Sequence, residues 1–266
     1  MVHSIISALP ENYPYKEHIH CFETIDSTNL QAKALGLQGA PHGTVLIARE
    51  QTAGRGRLGR SFHSPVGQGI YLSMLLRPSC HATALMHLTC AVGAAVCDAI
   101  EAVTGMRPGI KWTNDLVCGK KKLGGILTEL SLDNGGNVNF AVVGIGINCF
   151  QKSGDFPPEI CDIATSLAQF TGNEPDIPRL VAAILSALQK MSEQLLSHRQ
   201  QILEQYRKDC VTLGKEISVV TPTTVRHGIA VDIDAEGALL VDFPDGTREA
   251  VSSGEVSIRG MYGYLP

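Results

Sequence analysis

The stretch REQTAGRGRLGRSFHSP, residues Arg49–Pro65, decides how the fold is read. Its Gly54, Gly56 and Gly59 spell G-x-G-x-x-G, the string that opens a dinucleotide-binding βαβ unit. Such a unit needs a helix directly after the glycines and an acidic residue about 20 positions further on. Here Ser61, Pro65, Gly67 and Gly69 follow, and then the β-rich run GIYLSMLLR at 69–77. The dinucleotide reading fails on that context. What remains is a glycine-bearing loop between two strand candidates, 43–50 and 69–77, holding Arg55, Arg57 and Arg60, with Arg49 just before it. Glycines let the backbone approach a ligand, and arginines offer forked donors for phosphate or carboxylate. Three like charges among three glycines have little to pack against, so the loop is expected to be mobile until an anion orders it.

Outward from the loop, residues 21–26 read as a short strand entering a helix at Ser27–Leu37, with Thr28 and Gln31 at capping-box spacing and Gly36 or Gly39 as the stop. A helix is expected near 84–104, with Leu85, Leu88, Val92, Val96, Ala99 and Val103 on one buried face. Strands are expected at 109–113, 123–131 and 138–147, and Pro178 opens a long helix whose apolar face runs from Leu180 to Tyr206. Beyond Gly214 the texture changes to short alternating runs split by turns at Asp234–Gly237 and Pro244–Gly246. That pattern suits a small antiparallel barrel of about 50 residues. The expected division is a large domain over 1–212 and a small one over 213–266.

Composition narrows the function. The 266 residues carry 22 Lys+Arg against 26 Asp+Glu, a net charge of −4, with 44% hydrophobic residues. A net-acidic chain with an ample core is neither disordered nor dedicated to nucleic acid, so a local basic patch points to a small anionic ligand. The eight cysteines form no C-x-x-C pair and the nine histidines no metal spacing. Scattered thiols behind an N-terminus that makes a poor signal peptide place the chain in a reducing cytoplasm, away from membranes. There is no P-loop, no H-E-x-x-H and no G-x-S-x-G.

Two further segments carry chemistry. In IKWTNDLVCGKKKLGGILTEL (110–130), Lys111, Asn114 and Asp115 gather at a strand end, while Lys122 abuts Gly124 and Gly125, where a ligand could lie against backbone. Lys120 and Lys121 read as solvated. GIGIN at 144–148 ends a strand with two glycines and an amide, a weak signal alone.

Taken in order, Asp26-Ser27-Thr28-Asn29, GRGRLGR, KWTNDL, KLGGIL and GIGIN resemble the biotin–protein ligase family over about residues 20–260. The resemblance implies an α+β mixed-sheet catalytic domain of the biotin/lipoate ligase type, followed by a small SH3-like β-barrel. It implies an ATP-dependent ligase, with Mg²⁺, that activates biotin as biotinyl-5′-AMP and transfers it to a lysine of the biotin carboxyl carrier domain of acetyl-CoA carboxylase or a related enzyme. Arg57 and Lys122 would supply positive charge where two anions meet, supported by Arg55 in the Gly54–Gly56 loop. Ser27, Thr28, Asn29 and Gln51 would hydrogen-bond the ureido ring, and Gly124 and Gly125 would let the apolar tail pass. Lys111, Trp112, Asn114 and Asp115 would lie near the adenylate and the incoming lysine, and Asn148 near the phosphate end. No protein-held metal is implied. Thr113 replaces the commoner proline and loosens the turn before Asn114, and Phe62 stands where tryptophan is frequent. With about 20 residues before the first family strand, the expected form is monofunctional, without a DNA-binding domain; a homodimer is left open. The competing readings are a lipoate or octanoate ligase of the same fold and a non-enzymatic biotin-binding regulator.

Overall fold

In the computed structural model, which describes residues 1–221, 223–252 and 257–260, the chain builds two sheets in succession. The first has seven strands: β1 (Ile19–Ile25), β2 (Thr44–Gln51), β3 (Gly69–Leu76), β4 (Gly109–Lys111), β5 (Asp115–Cys118), β6 (Lys121–Leu132) and β7 (Val138–Asn148). Their order is β1-β2-β3-β7-β6-β5-β4, with β1 and β2 parallel and every other pair antiparallel. The second sheet, β8 (Glu216–Val220), β9 (Val225–Ile233), β10 (Leu239–Asp242), β11 (Arg248–Val251) and β12 (Ser257–Gly260), is antiparallel in the order β11-β10-β9-β8-β12.

Three helices lie against the large sheet for a simple reason: their apolar faces need cover. Helix α1 (Val2–Ala8) inserts Ile5, and α2 (Thr28–Leu37) buries Ala32 and Gly36. At Gly36 a Cβ would sit 2.8 Å from both Leu75 and Phe140, so only glycine lets this helix settle so close. Helix α3 (Leu88–Thr104) is buried along most of its length, which accounts for a segment, Ala82–Thr104, long and apolar enough to cross a membrane. Helix α2 covers one face of the sheet, through Leu46, Leu75, Phe140 and Val142, and α1 and α3 the other; a short α4 (Leu167–Thr171) and two more helices follow.

Three local expectations are corrected. The long helix is two, α5 (Ile177–Gln194) and α6 (Arg199–Asp209). Leu195 remains buried at the break, and its carbonyl accepts a hydrogen bond from His87 Nε2 at 2.9 Å. No capping box forms at α2: Ser27 is the N-cap, without a side-chain bond, and the Gln31 amide reaches the Asp26 carboxylate at 3.0 Å instead. The hairpin after 109–113 is a separate strand, β5, because Thr113 and Asn114 turn the chain after only three residues of β4. The eight thiols stay free, and burial pushes Cys90, Cys118 and Cys149 up to about 12.

His87 gives a pH prediction. It is fully buried, its Nδ1 has no partner, and burial holds its pKa below the usual histidine value, against the pull of the Leu195 carbonyl. A native state that favours the neutral ring keeps its full stability above the unfolded pKa of about 6.5 and loses it as pH falls through the lower folded value. Thermal midpoints between pH 7.5 and 5 are therefore expected to fall more steeply for the native chain than for His87→Gln. Parallel slopes would remove His87 from the acid limb.

Candidate active site

A cleft opens over the middle of the large sheet, floored by β6 and β7 and walled by the N-terminus of α2, the loop after β2 and the β4–β5 turn. Backbone register sets the floor. Gly125 pairs with Gly146 and Leu127 with Gly144, so the two strands present little side chain here. A Cβ on Gly144 would lie 2.0 Å from Asn29 Oδ1, and one on Gly146 would lie 2.6 Å from the Phe62 ring. Those glycines are what allow Asn29 and Phe62 to come down onto the floor.

One part of the cleft is neutral and hydrogen-bonding. Gln51 Oε1 accepts from the Thr28 backbone N–H at 2.9 Å, and Gln51 Nε2 donates to Ser64 Oγ at 3.0 Å. Ser64 in turn donates to the Phe62 carbonyl at 2.9 Å. Asn29 Nδ2 donates to the Leu127 carbonyl at 3.2 Å and to Glu129 at 3.0 Å. Ser27 lines the same corner.

Another part is charged. Arg57 Nη1 donates to Asn114 Oδ1 at 2.9 Å, Asn114 Nδ2 to Asp115 Oδ1 at 3.3 Å, and Lys122 Nζ to the same Asp115 oxygen at 2.6 Å. Burial draws the Arg57 guanidinium below its ordinary value while Asp115 raises it again. Among the described residues the lining holds Arg55, Arg57, Arg60, Lys111 and Lys122 against one lining carboxylate, Asp115, with Glu129 close behind Arg55. In a chain of net charge −4, this excess of cations makes a local anion site.

The arginine loop is not an open tether. Gly56 N–H bonds the Arg60 carbonyl at 2.7 Å, Phe62 N–H bonds the Gly54 carbonyl at 2.9 Å, and Arg55 approaches Glu129 at 3.6 Å. The expectation that its arginines have little to pack against is thereby corrected: Asn114 and Glu129, distant in sequence, anchor two of them. Leu58 (φ 55°) and Gly59 (φ +74°) take left-handed conformations that fold the loop on itself.

Of the site residues that the family resemblance implies, all but Gly54, Gly124 and Asn148 line this cleft. Gly54 sits at the loop base, where a Cβ would lie 2.4 Å from the Phe62 carbonyl. Gly124 serves the close approach of β6 to β7, a Cβ there falling 2.3 Å from the Gly146 carbonyl. Asn148 lies behind the cleft: it donates to the Thr165 carbonyl at 3.0 Å, while Thr165 N–H and the Ile163 carbonyl bracket the Lys122 backbone at 2.8 and 2.7 Å. Its visible task is to hold the strap that fixes Lys122. Nor is the Thr113 turn loose: Thr113 is buried, and its carbonyl accepts from Tyr206 Oη at 3.1 Å. Next to it, Trp112 Nε1 donates at 3.0 Å to the carbonyl of Gly237, in the β9–β10 turn of the small sheet, so that turn backs the cleft wall. Ser73 escaped the sequence reading; a lone serine inside GIYLSMLL was its one signal.

Residues 21–148 match the biotin/lipoate A/B protein ligase family, and residues 212–259 match the biotin protein ligase C-terminal domain. The bifunctional ligase/repressor BirA of Bacillus spizizenii is 36% identical over 241 residues, 89% of this chain and 73% of that protein. The biotin–[acetyl-CoA-carboxylase] ligase of Mycobacterium tuberculosis is 35% identical over 236 residues, 86% of this chain and 85% of that one. Among solved structures, the biotin protein ligase from Aquifex aeolicus in complex with biotin and ATP superposes with a TM-score of 0.78 at 30% identity, over 91% of this chain and 99% of that one. With the two-sheet architecture, the glycine floor and the cation-rich cleft on the same chain, this protein belongs to the biotin protein ligases of the biotin/lipoate A/B family.

Proposed function

We propose that the chain activates biotin with ATP to biotinyl-5′-AMP and then transfers the biotinyl group to a lysine on a carrier domain of acetyl-CoA carboxylase or a related carboxylase. The observation that carries this is the union, in one cleft, of a neutral hydrogen-bonding corner and a five-cation site. A ureido ring presents two N–H donors and a carbonyl acceptor, and the corner offers the Thr28 and Gln51 oxygens beside the Ser27 hydroxyl. Lipoate's ring has no N–H, so these buried acceptors would go unpaired, at a cost of about 1–3 kcal/mol.

In the first step a biotin carboxylate oxygen bonds the α-phosphorus of ATP and the bond to the β-phosphate breaks, releasing pyrophosphate. Both reactants are anions, so Arg57 and Lys122 stabilise the charge where they meet, with Arg55 and Lys111 flanking. In the second, the lysine amine attacks the anhydride carbonyl and AMP leaves; Asp115, held by Asn114 and Lys122, lies where it can orient that amine. Among the described residues no cluster of three His, Cys, Asp or Glu could cage a metal. One cleft carboxylate suits a Mg²⁺ that enters on the phosphates, where it would neutralise their charge. The free thiols favour a reducing cytoplasm.

Pyrophosphate release with biotin, and separately with lipoate, tests the assignment. Biotin-dependent release followed by label on a carrier domain supports it; lipoate-dependent release favours the sister activity; binding without release favours a regulator. The same assay checks the floor. Gly144→Ala drives a Cβ into Asn29 Oδ1, and its biotin affinity is expected to fall about tenfold, since one buried polar group loses its pairing. Unchanged affinity would take Asn29 out of the ring pocket.

A further inference from the structure

The loop that carries the three arginines is a small hairpin. Arg55 bridges Ser61 in antiparallel fashion, above the bonds that join Gly54 to Phe62 and Gly56 to Arg60. At the tip the chain reverses through Leu58 and Gly59, both at positive φ, and Arg60 N–H closes the turn on the Arg57 carbonyl at 3.2 Å. Two central residues at positive φ define a type I′ turn, whose first central position suits Asn, Asp or Gly. Here it holds leucine, at φ 55° and ψ 37°. In that conformation the leucine Cβ crowds the following carbonyl.

Packing does not explain the choice. Leu58 belongs to neither apolar cluster of the interior, and it stays 53% exposed although it also lines the cleft. The hairpin beneath it is braced, by Arg57 on Asn114 at 2.9 Å and by Arg55 near Glu129 at 3.6 Å. A disfavoured, half-exposed apolar side chain is thus held out at the rim of the anion site. Strain of this kind, in a residue the core does not use, points to a surface contact.

The occupant follows from reach and charge. A ligand lodged in the cleft touches only the side of Leu58 that lines it. The side open to solvent is available to a macromolecule, and the transfer step brings one here, since the acceptor lysine arrives on a folded domain. Arg57 and Arg60, one and two residues from Leu58, repel an ammonium, so what this edge offers a lysine-bearing turn is apolar contact. We infer that Leu58 is a docking knob for the carrier domain, received by apolar side chains that flank the acceptor lysine. The inference rests on the reading of the cleft as a biotin–protein ligase site. Seating the knob fixes where the lysine enters, which is what a reaction between two large bodies needs.

The test is transfer kinetics on an apo carrier domain of acetyl-CoA carboxylase. Leu58→Asn suits the turn and removes the apolar surface. It is expected to raise KM for the carrier about tenfold, at parental thermal stability or higher. Pyrophosphate release without carrier, and the rate at which biotinyl-5′-AMP escapes, are expected to stay within about twofold. Leu58→Met, which restores apolar surface, is expected to lie within about threefold of the parent. Against a carrier with serine on both sides of its acceptor lysine, Leu58→Asn is expected to add less than about twofold to the parent's own loss. A carrier KM in Leu58→Asn within about twofold of the parent, or a full tenfold penalty that persists on the serine carrier, overturns the inference and leaves the biotin assignment standing. Faster escape of biotinyl-5′-AMP at an unchanged carrier KM overturns it in favour of a cover for the adenylate. Self-association of the parent that Leu58→Asn abolishes in sedimentation, at an unchanged carrier KM, overturns it in favour of a second copy. A parent protein that labels no carrier with biotin overturns both the inference and the reading beneath it.

Discussion

Lys122→Ala is expected to slow formation of biotinyl-5′-AMP by about a hundredfold or more, the scale of removing one preorganised charge partner from a reacting centre. The argument starts with the backbone. Lys122 is the second residue of β6 and its backbone is bracketed by the Ile163 carbonyl and the Thr165 N–H, which holds its Cα in place. Its ammonium meets Asp115 at 2.6 Å with both side chains partly shielded, at 30% and 15% exposure. A carboxylate and a polyphosphate brought into this cleft repel each other, and repulsion grows as water is excluded. Removing Lys122 takes away one positive charge and also leaves Asp115 facing the incoming anions without its partner, so two effects add in the same direction. Arg57→Ala is expected to fall in the same range, because it deletes a half-buried guanidinium and frees Asn114 Oδ1 from its 2.9 Å bond. Stability should change little, because surface-reaching ion pairs contribute about 0–1 kcal/mol. Pyrophosphate release under saturating biotin and ATP, alongside a thermal melt, separates the two. A parent rate in either variant would strip that residue of its part in the first step.

How much of this could be read from the sequence depends on the range over which each feature is determined. Elements of local origin were legible: the β-rich runs 43–50 and 69–77 became β2 and β3, and the apolar spacing from Leu85 to Val103 became α3 with a short 3-10 turn before it. The charged residues were legible too, because three arginines among glycines in a net-acidic chain have few structural uses. What periodicity does not encode is register. The order β3-β7-β6, which lays Gly144 and Gly146 on the cleft floor, arises from pairings between strands far apart in the chain. The polar network fails for the same reason: Ser73 meets Thr28 and Asn29 across more than 40 residues, and within β3 it reads as one small residue in an apolar run. Asn148 shows how little of a side chain's task a strand-end motif conveys: its amide bonds the Thr165 carbonyl, on the strap that brackets Lys122, a partner 17 residues away that the GIGIN string does not reveal. Helix ends were misread where tertiary contacts override local signals, as at Gln31, whose amide prefers the Asp26 carboxylate to a capping role.

Asp115→Asn is expected to separate the two half-reactions, slowing transfer to a carrier domain about a hundredfold while adenylation falls less than about tenfold. The acceptor lysine has a reference pKa of about 10.4, so near neutrality it arrives protonated and unreactive. It needs a carboxylate that can hold it, aim it at the anhydride carbonyl and take its proton, and among the described residues Asp115 is the carboxylate that lines the cleft. In the ligand-free protein that carboxylate is occupied: Lys122 at 2.6 Å and Asn114 at 3.3 Å both donate to Oδ1. On the proposed mechanism Lys122 turns to the phosphate and Asp115 then faces the acceptor, so one ion pair would serve both steps in turn. The asparagine variant keeps the shape of the β4–β5 turn, which rests on the Tyr206 bond to the Thr113 carbonyl and the Ile126 N–H bond to the Asn114 carbonyl at 2.9 Å, not on the Asp115 charge. It also leaves Lys122 fully available to the anions, which is why the first step should survive. Rapid-quench measurement should show biotinyl-5′-AMP accumulating on the variant at near-parent thermal stability, with label reaching the carrier slowly. Equal loss in both steps would instead assign Asp115 to the handling of Mg²⁺ and nucleotide, and a lowered melting temperature with both rates intact would reduce it to a turn residue.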